Sequence, residues 1–433
     1  MFARFGKKVY FCFHNFKTNT ATTAMHNIRK ISTDLYYIGA SDRKLALFEN
    51  IYPVPHGVSY NSYVLLDSKT VLFDTVDTSV SSQFFDNLRA ALAGRKLDYI
   101  VVHHMEPDHA ATLQDLLLRH HEATVVTTAK AAQMIEQFFG SQPGKLLTVK
   151  EGDTLATGSH TLCFIMAPMV HWPEVMMTYD TDAKTLFSAD AFGTFGALSG
   201  NLFADEMDFE HEWLGDARRY YINIVGKYGI QVQNVLKKAA ALDIQTICPL
   251  HGPVWRSEAQ PAGQGDTGSL GWFIGKHDTW SKYEPEDKAV VIIYGSIYGH
   301  TEAAALRLGT LLGERGIRGI KAYDASHTHA SKLVAECFRV SHIVLASSTY
   351  NNGLFTPMEN LLADLKAHCW QRRTVAIIEN GSWAPQSGKL MRAELEQMKD
   401  ITLVGDTFSL KSAMQPDQEE QLATLADEIV KSL

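Results

Sequence analysis

His104-Met105-Glu106-Pro107-Asp108-His109 is the stretch that decides the fold. It follows Asp98 to His103, which reads as a strand, and precedes Ala110 to Arg119, which reads as a helix. Two imidazoles and two carboxylates within six residues of a strand end are metal-ligand chemistry. Three more residues of ligand type stand farther on: His171, Asp190 and His251, 62, 81 and 142 residues after His109. They occur in His171-Trp172-Pro173, Ser188-Ala189-Asp190 and Leu250-His251-Gly252-Pro253. The strands predicted over 161–167, 185–189 and 246–249 would carry them at their ends. Four imidazoles and three carboxylates are what two first-row transition metals need. Such an oxygen-rich, imidazole-containing site suits redox-active iron, whereas zinc hydrolases favour nitrogen and sulfur.

The cluster resembles the metallo-β-lactamase superfamily, whose zinc hydrolases usually carry His-x-His-x-Asp-His. Glu106 replaces the second histidine here and adds a hard anionic oxygen. His103, beside the motif, is expected to face the opposite side of its strand and not to be a ligand. His56, Tyr60 and Tyr220 are weak candidates for orienting groups or proton donors behind the ligands.

A second informative region begins near residue 288. Ala289-Val290-Val291-Ile292-Ile293-Tyr294 is a continuous apolar run of buried parallel-strand type. It leads into Gly295-Ser296-Ile297-Tyr298-Gly299-His300-Thr301 and then a helical segment rich in Ala and Leu. Backbone N–H groups at the helix start, with Ser296 and Thr301, can surround a phosphate without a basic residue. The loop is neither a Walker A loop nor the dinucleotide G-x-G-x-x-G pattern; it resembles the FMN phosphate loop of flavodoxins. Two later strands end in similar loops, Ser347-Ser348-Thr349-Tyr350-Asn351-Asn352-Gly353 and Glu379-Asn380-Gly381-Ser382-Trp383. Open α/β sheets bind ligands at such carboxyl ends. Tyr350 and Trp383 are placed to flank an isoalloxazine ring.

The combination resembles the flavodiiron proteins, also called A-type flavoproteins, over about residues 26–433. That resemblance implies an α/β chain: a metallo-β-lactamase-like αββα sandwich with a non-haem diiron centre, then a flavodoxin-like doubly wound parallel sheet with FMN. Carried over by position, His104, Glu106 and His171 would bind one iron and Asp108, His109 and His251 the other, with Asp190 bridging. FMN would be held by residues 296–301, 348–353 and 380–383. His300 stands where the family commonly has Asn, and Ser348 where it commonly has Pro. The implied activity is reduction of dioxygen to water, of nitric oxide to nitrous oxide, or both. Electrons would come through FMN from a rubredoxin or a flavoprotein reductase. The implied assembly is a head-to-tail homodimer or a dimer of such dimers. Neither the preferred gas nor the donor follows from the residues. The alternatives are a glyoxalase II-like metallohydrolase and an FMN electron carrier with an inactive metal domain. Glu106 and the flavodoxin-like half weigh against the first, the complete ligand set against the second.

Length and composition agree with this organisation. The chain has 433 residues, 45% hydrophobic, which suggests two or three domains with ordinary cores. The division expected is 1–25 as a disordered extension, 26–284 as the diiron domain and 285–433 as the FMN domain. Strand–helix alternation runs through 123–149, a long helical region is expected over 216–241, and 260–271 reads as a Gly/Pro/Gln linker. The net charge of −8 argues against general nucleic-acid binding. It is carried mainly by residues 1–287, with 25 basic and 32 acidic side chains; residues 288–433 hold 15 and 16. No apolar stretch is long enough to span a membrane. The five cysteines form no C-x-x-C pair, so no fused rubredoxin, cysteine zinc site or disulfide framework is expected, and a reducing cytoplasm is the simplest compartment. The first 24 residues hold Arg4, Lys7, Lys8 and Lys17 and no acid. They read as a tail behind an upstream start, with a targeting peptide as the poorer alternative.

Overall fold

The computed structural model describes residues 26–257 and 268–433. The expectations for the first 25 residues, and for most of the Gly/Pro/Gln stretch, fall outside them.

Two sheets face each other in the first lobe. One runs in the order Arg29–Lys30, Leu35–Tyr37, Tyr63–Leu66, Thr70–Phe73, Tyr99–Val101, Thr124–Thr128, Leu146–Val149. Its first half is antiparallel and built on the hairpin joining Tyr63–Leu66 to Thr70–Phe73. Its second half is parallel. The other sheet runs Thr154–Ala156, Thr161–Met166, Met176–Asp180, Thr185–Phe187, Thr246–Cys248, Trp255–Arg256. Inward side chains of both meet in one apolar layer, with Phe73 stacked on Phe187 at 3.7 Å between centroids. Helices Ser81–Leu92 and Ala129–Phe139 pack against the first sheet. Helix Gly229–Ala239 reaches the second, where Lys238 Nζ donates to the Met166 carbonyl at 2.8 Å. This is the four-layer αββα sandwich.

The second lobe is a parallel sheet in the order Lys321–Asp324, Asp287–Gly295, Val340–Tyr350, Arg373–Asn380, Ile401–Leu403, with Phe408–Leu410 also paired to Arg373–Asn380. Counted along the lobe, that order is 2-1-3-4-5, the flavodoxin-like doubly wound arrangement. Helix His300–Glu314 covers one face because Ala304, Ala305, Leu308, Leu311 and Leu312 recur at helical spacing and are all buried.

Three local readings change. The helix expected over 110–119 is two helices, Pro107–Ala110 and Leu113–Arg119. Pro107 opens the first at the position where its missing N–H costs nothing. Between them the Thr112 hydroxyl is tied to Val76, donating to its carbonyl at 3.0 Å. The helical region expected over 216–241 begins at Phe209 and is broken by wide turns at Phe209–Trp213 and Tyr221–Val225. Its last helix starts at Gly229, where a Cβ would lie 2.3 Å from the Ser281 carbonyl oxygen. Finally, the end of the expected linker is ordered as helix Leu270–Ser281. Glu286, 3% exposed at its side chain, ties that helix to both lobes. It accepts from Trp280 Nε1 at 2.7 Å, Arg218 Nη2 at 3.0 Å and Lys276 Nζ at 3.2 Å. Among the described residues, no helix is long and apolar enough to cross a membrane.

Candidate metal centre and flavin pocket

The seven side chains converge at one end of the sandwich in two buried groups: His104, Glu106, His171 and Asp190, and Asp108, His109 and His251. Local structure explains their delivery. Glu106 caps the short helix Pro107–Ala110 and leaves Asp108 and His109 on its first turn. Thr75 holds that turn through its N–H and hydroxyl, both donated to the His109 carbonyl, at 2.9 and 2.7 Å. Asp190 follows strand Thr185–Phe187, and the Ala189 carbonyl accepts from Leu250 N at 2.9 Å, so the Asp190 and His251 loops are tied. Gly252 has φ +76°, and a Cβ there would lie 2.2 Å from Thr194 Cγ2, so glycine is needed after His251.

In the first group, His104 Nε2 lies 3.3 Å from His171 Nε2, and Glu106 Oε2 lies 3.2 and 3.0 Å from those nitrogens. Asp190 Oδ2 lies 3.2 Å from both. In the second group, His109 and His251 Nε2 are 3.1 Å apart, with Asp108 Oδ2 at 3.3 and 3.2 Å. The other oxygen of Asp190 is 3.2 Å from His109 Nε2 and 3.7 Å from His251 Nε2. Asp190 thus gives one oxygen to each group.

These are the separations of atoms sharing an ion. Ligand atoms ~2.1 Å from a common centre stand roughly 3.0 Å apart at octahedral angles and 3.4 Å apart at tetrahedral ones. Both oxygens of Asp108 and of Asp190 are buried without a hydrogen bond, an arrangement too costly to leave uncompensated. Burial opposes charge on every group, yet the pairs overrule it. Asp190, Glu106 and Glu174 push His104 well up, and Asp108 and Asp190 push His109 up. Asp190 and Glu106 raise His171 to about 9. The same histidines hold Glu106 and Asp190 well below the usual carboxylate range. With protons alone as counter-charge the imidazoles are driven toward a form that cannot ligate; two metal cations replace those protons. The residues fit a binuclear centre.

The groups behind the ligands are mostly ones the sequence did not single out. Glu174 Oε1 accepts from His104 Nδ1 at 2.8 Å and from Met105 N at 3.0 Å. It stands one residue past the quoted His171-Trp172-Pro173, where only its place beside that motif could have suggested it. The Ser59 carbonyl accepts from His251 Nδ1 at 2.7 Å, a backbone partner with no sequence signal. Glu49, at the tip of the hairpin Leu47–Phe48/Tyr52–Pro53, stands beside Glu106, and partial burial of its carboxyl together with that neighbouring charge pushes it up to about 8. Of the weak candidates, the rings of Tyr220 and Tyr60 lie 5.4 and 5.9 Å from the His251 ring. His56 is 70% exposed and paired with Asp216, apart from the cluster. His103 is bound to Asp74 and, at 2.7 Å, to the Thr178 hydroxyl, and stands outside both groups.

In the second lobe, a cavity of about 410 Å³ opens at the carboxyl ends of strands Asp287–Gly295, Val340–Tyr350 and Arg373–Asn380. Its wall takes Ser296, Ile297, Tyr298, His300 and Thr301 from the first loop, Ser348 to Asn352 from the second and Asn380 to Trp383 from the third. Gly299 and Gly353 do not line it. Gly299, at φ +89°, caps helix His300–Glu314, and Gly353 pairs back to Tyr350. Ala384 and Ser412 line it without having been picked out. Thr301 Oγ1 is 2.9 Å from Ser348 Oγ and accepts from Asn380 Nδ2 at 3.2 Å. Ser296 Oγ accepts from Gly299 N at 3.1 Å. The wall contains hydroxyls, amides and aromatic rings and no Lys, Arg, Asp or Glu. That composition fits a phosphate held by backbone and hydroxyl donors beside a flat ring system.

Comparison with known proteins spans both lobes. Residues 58–252 match the family described as ODP family beta lactamase. The chain is 30% identical over 393 residues to an anaerobic nitric oxide reductase flavorubredoxin of Pectobacterium atrosepticum, covering 89% of this chain and 74% of that one. It superposes on the rubredoxin oxygen:oxidoreductase structure from Desulfovibrio gigas with a TM-score of 0.84 at 28% identity, over 94% of this chain and 98% of that one. The flavodiiron protein structure from Giardia intestinalis gives a TM-score of 0.80 at 25% identity, over 93% and 97%.

Proposed function

The chain belongs to the flavodiiron protein family, and from that premise we propose that it is an oxidoreductase that reduces dioxygen to water, nitric oxide to nitrous oxide, or both. Residues 26–284 serve as the diiron domain and 285–433 as the FMN domain. The observation that carries the reading is a buried seven-donor set, split by Asp190 into two halves, on one chain with a pocket of about 410 Å³ whose wall holds no Lys, Arg, Asp or Glu. His104, Glu106 and His171 hold one iron, Asp108, His109 and His251 the other, and Asp190 joins them. Loops 296–301, 348–353 and 380–383 hold FMN.

When bound, FMN would supply electrons singly or in pairs, and two irons held by the seven ligands would supply the reducing centre for one dioxygen or two nitric oxides. Dioxygen takes four electrons and four protons to give two waters; two nitric oxides take two of each to give nitrous oxide and one water. The chain's own residues keep the site ordered. Glu174 and the Ser59 carbonyl fix His104 and His251 with Nε2 free to ligate. Burial and the neighbouring carboxylates hold the proton on the Tyr220 hydroxyl, which is buried beside the metal cluster without a hydrogen-bond partner. Glu106 supplies the oxygen donor that separates the set from a zinc-hydrolase pattern.

The electron source is an external rubredoxin-type donor or a flavoprotein reductase. A head-to-tail homodimer, or a dimer of such dimers, brings the FMN of one chain to the diiron centre of the other. Two facts support this: among the described residues, none of the metal lobe lines the flavin pocket, and its rim exposes Trp383 and Tyr298 at 91% and 90%. The test is anaerobic reduction of the yellow, iron-loaded protein, followed by stopped-flow mixing with each gas. Rapid flavin reoxidation by at least one gas is expected; two zinc ions per chain with no gas consumption overturns the reading. For the assembly, a heterodimer joining a His104→Ala chain to a Thr301→Val chain emptied of flavin should stay active.

A further inference from the structure

The two halves of the metal centre have matching ligands and unlike backing. Each half has two imidazoles, one terminal carboxylate and one oxygen of Asp190. Behind His104, Nδ1 donates to the Glu174 carboxylate at 2.8 Å. Glu174 is 1% exposed, and its second oxygen is buried with no hydrogen bond, so its charge is spent on little besides His104 and Met105 N. Behind the other half, among the described residues, neither imidazole has a carboxylate at its Nδ1. His251 Nδ1 donates to a neutral carbonyl, that of Ser59, at 2.7 Å, and His109 Nδ1 is buried without a partner.

A carboxylate behind a ligating imidazole draws the Nδ1 proton toward itself and makes Nε2 the stronger donor. A stronger donor favours the more highly charged ion. Resting on the diiron reading, we propose that Glu174 is a positioning residue that ranks the two ions. The ion at His104, Glu106 and His171 is held more tightly and stays ferric when one electron enters a diferric pair. The ion at Asp108, His109 and His251 is released first and becomes ferrous first. Exposure alone predicts the opposite order of release, because His171 is 6% exposed against 1% for His109 and His251.

The test uses the full chain loaded with ⁵⁷Fe, graded competition by a ferrous chelator, and Mössbauer spectra after one electron per centre from dithionite. Wild type should lose its irons in two separate steps, the first being the ion that appears ferrous at half reduction. The iron left in His251→Ala should resist the chelator better than the iron left in His171→Ala. Glu174→Gln keeps an acceptor for Nδ1 and removes the charge. It should release the tighter iron about 10- to 100-fold more readily, with the weaker iron unchanged, and should make the two ions less distinct at half reduction. Apo-protein melting separates this from a folding defect. Simultaneous loss of both irons, a reversed order in the two histidine variants, or an unchanged tight step in Glu174→Gln overturns the proposal. If Glu174→Gln does not fold, the two histidine variants decide the matter alone. An iron-free wild type defeats the diiron reading itself and is recognised by metal content before any competition is run.

Discussion

Thr301→Val probes the flavin site with the smallest available change. The side chain is 1% exposed, and valine keeps its shape while removing the hydroxyl. In the protein that hydroxyl lies 2.9 Å from Ser348 Oγ and accepts from Asn380 Nδ2 at 3.2 Å. Asn380 Nδ2 also donates to the Ser412 carbonyl at 2.8 Å, so it keeps a partner in the variant. The Ser348 hydroxyl can turn toward the cavity, whose wall it forms. The free protein therefore loses little, and the penalty falls on the complex, where a phosphate oxygen loses a donor. One unmatched hydrogen bond of this kind costs about 1–3 kcal/mol, which weakens FMN binding roughly 5- to 150-fold. The assay is quenching of flavin fluorescence on titrating FMN into flavin-stripped protein, with iron content as the control. A dissociation constant within twofold of wild type, or iron lost in step with flavin, would refute the placement of the phosphate at Thr301.

Asp190→Ala should empty both metal positions together, because its two oxygens serve different halves, whereas His251→Ala should lower iron toward one per chain; metal analysis of each purified variant checks this, and full iron in Asp190→Ala would remove Asp190 as the bridge. Glu106→His should raise the zinc-to-iron ratio on loading from an equimolar mixture, by replacing an oxygen donor with nitrogen; an unchanged ratio contradicts the role given to Glu106. His160 joins Asp180 at 2.6 Å and Asp34 at 2.9 Å, and its imidazole is raised, burial being outweighed by those two carboxylates. Its share of stability, about 1.5–3 kcal/mol for charged hydrogen bonds, is fully present below the unfolded value near 6.5 and is lost as pH rises through the folded one. The melting-temperature gap between wild type and His160→Gln should therefore shrink from pH 6 to pH 9, and a constant gap counts against the clamp.

What the sequence revealed, it revealed through local order. His104 to His109 sit on consecutive positions of a strand end and a helix start, so type and spacing alone single them out. The flavin loops are legible for the same reason: each follows an apolar run that can only be a buried strand. Glu174, Ser59 and Glu49 act through contacts across 70, 192 and 57 positions, of which the first two are hydrogen bonds to His104 and His251 and the third sets one carboxylate beside that of Glu106. No periodicity encodes such partners. The broken helices near Thr112 and Gly229 were hidden because tertiary contacts, to Val76 and to the Ser281 carbonyl, override local helix preference.

The ordered joint changes the argument about electron transfer. A glycine-rich connection suggests lobes free to swing, so that a chain's own flavin might visit its own metals. The joint is instead fastened at the amino ends of the flavin-lobe strands. Glu286 binds Arg218 of the metal lobe, and Arg373 donates to the carbonyls of Tyr283, at 2.7 Å, and Cys337, at 3.3 Å. Helix Ala330–Arg339 is packed between the flavin-lobe sheet and the helices at 214–225. The flavin pocket lies at the other end of those strands, about 26 Å away along the nine residues of Asp287–Gly295. A swing that carried the flavin pocket to the metal cluster of its own chain would have to pull Glu286 from Arg218, and breaking a buried pair costs about 3–5 kcal/mol. The head-to-tail pairing proposed above would meet the same need without disturbing the joint. The fastening of the lobes through Glu286 and Arg218 is thus a reason to seek the electron path between chains.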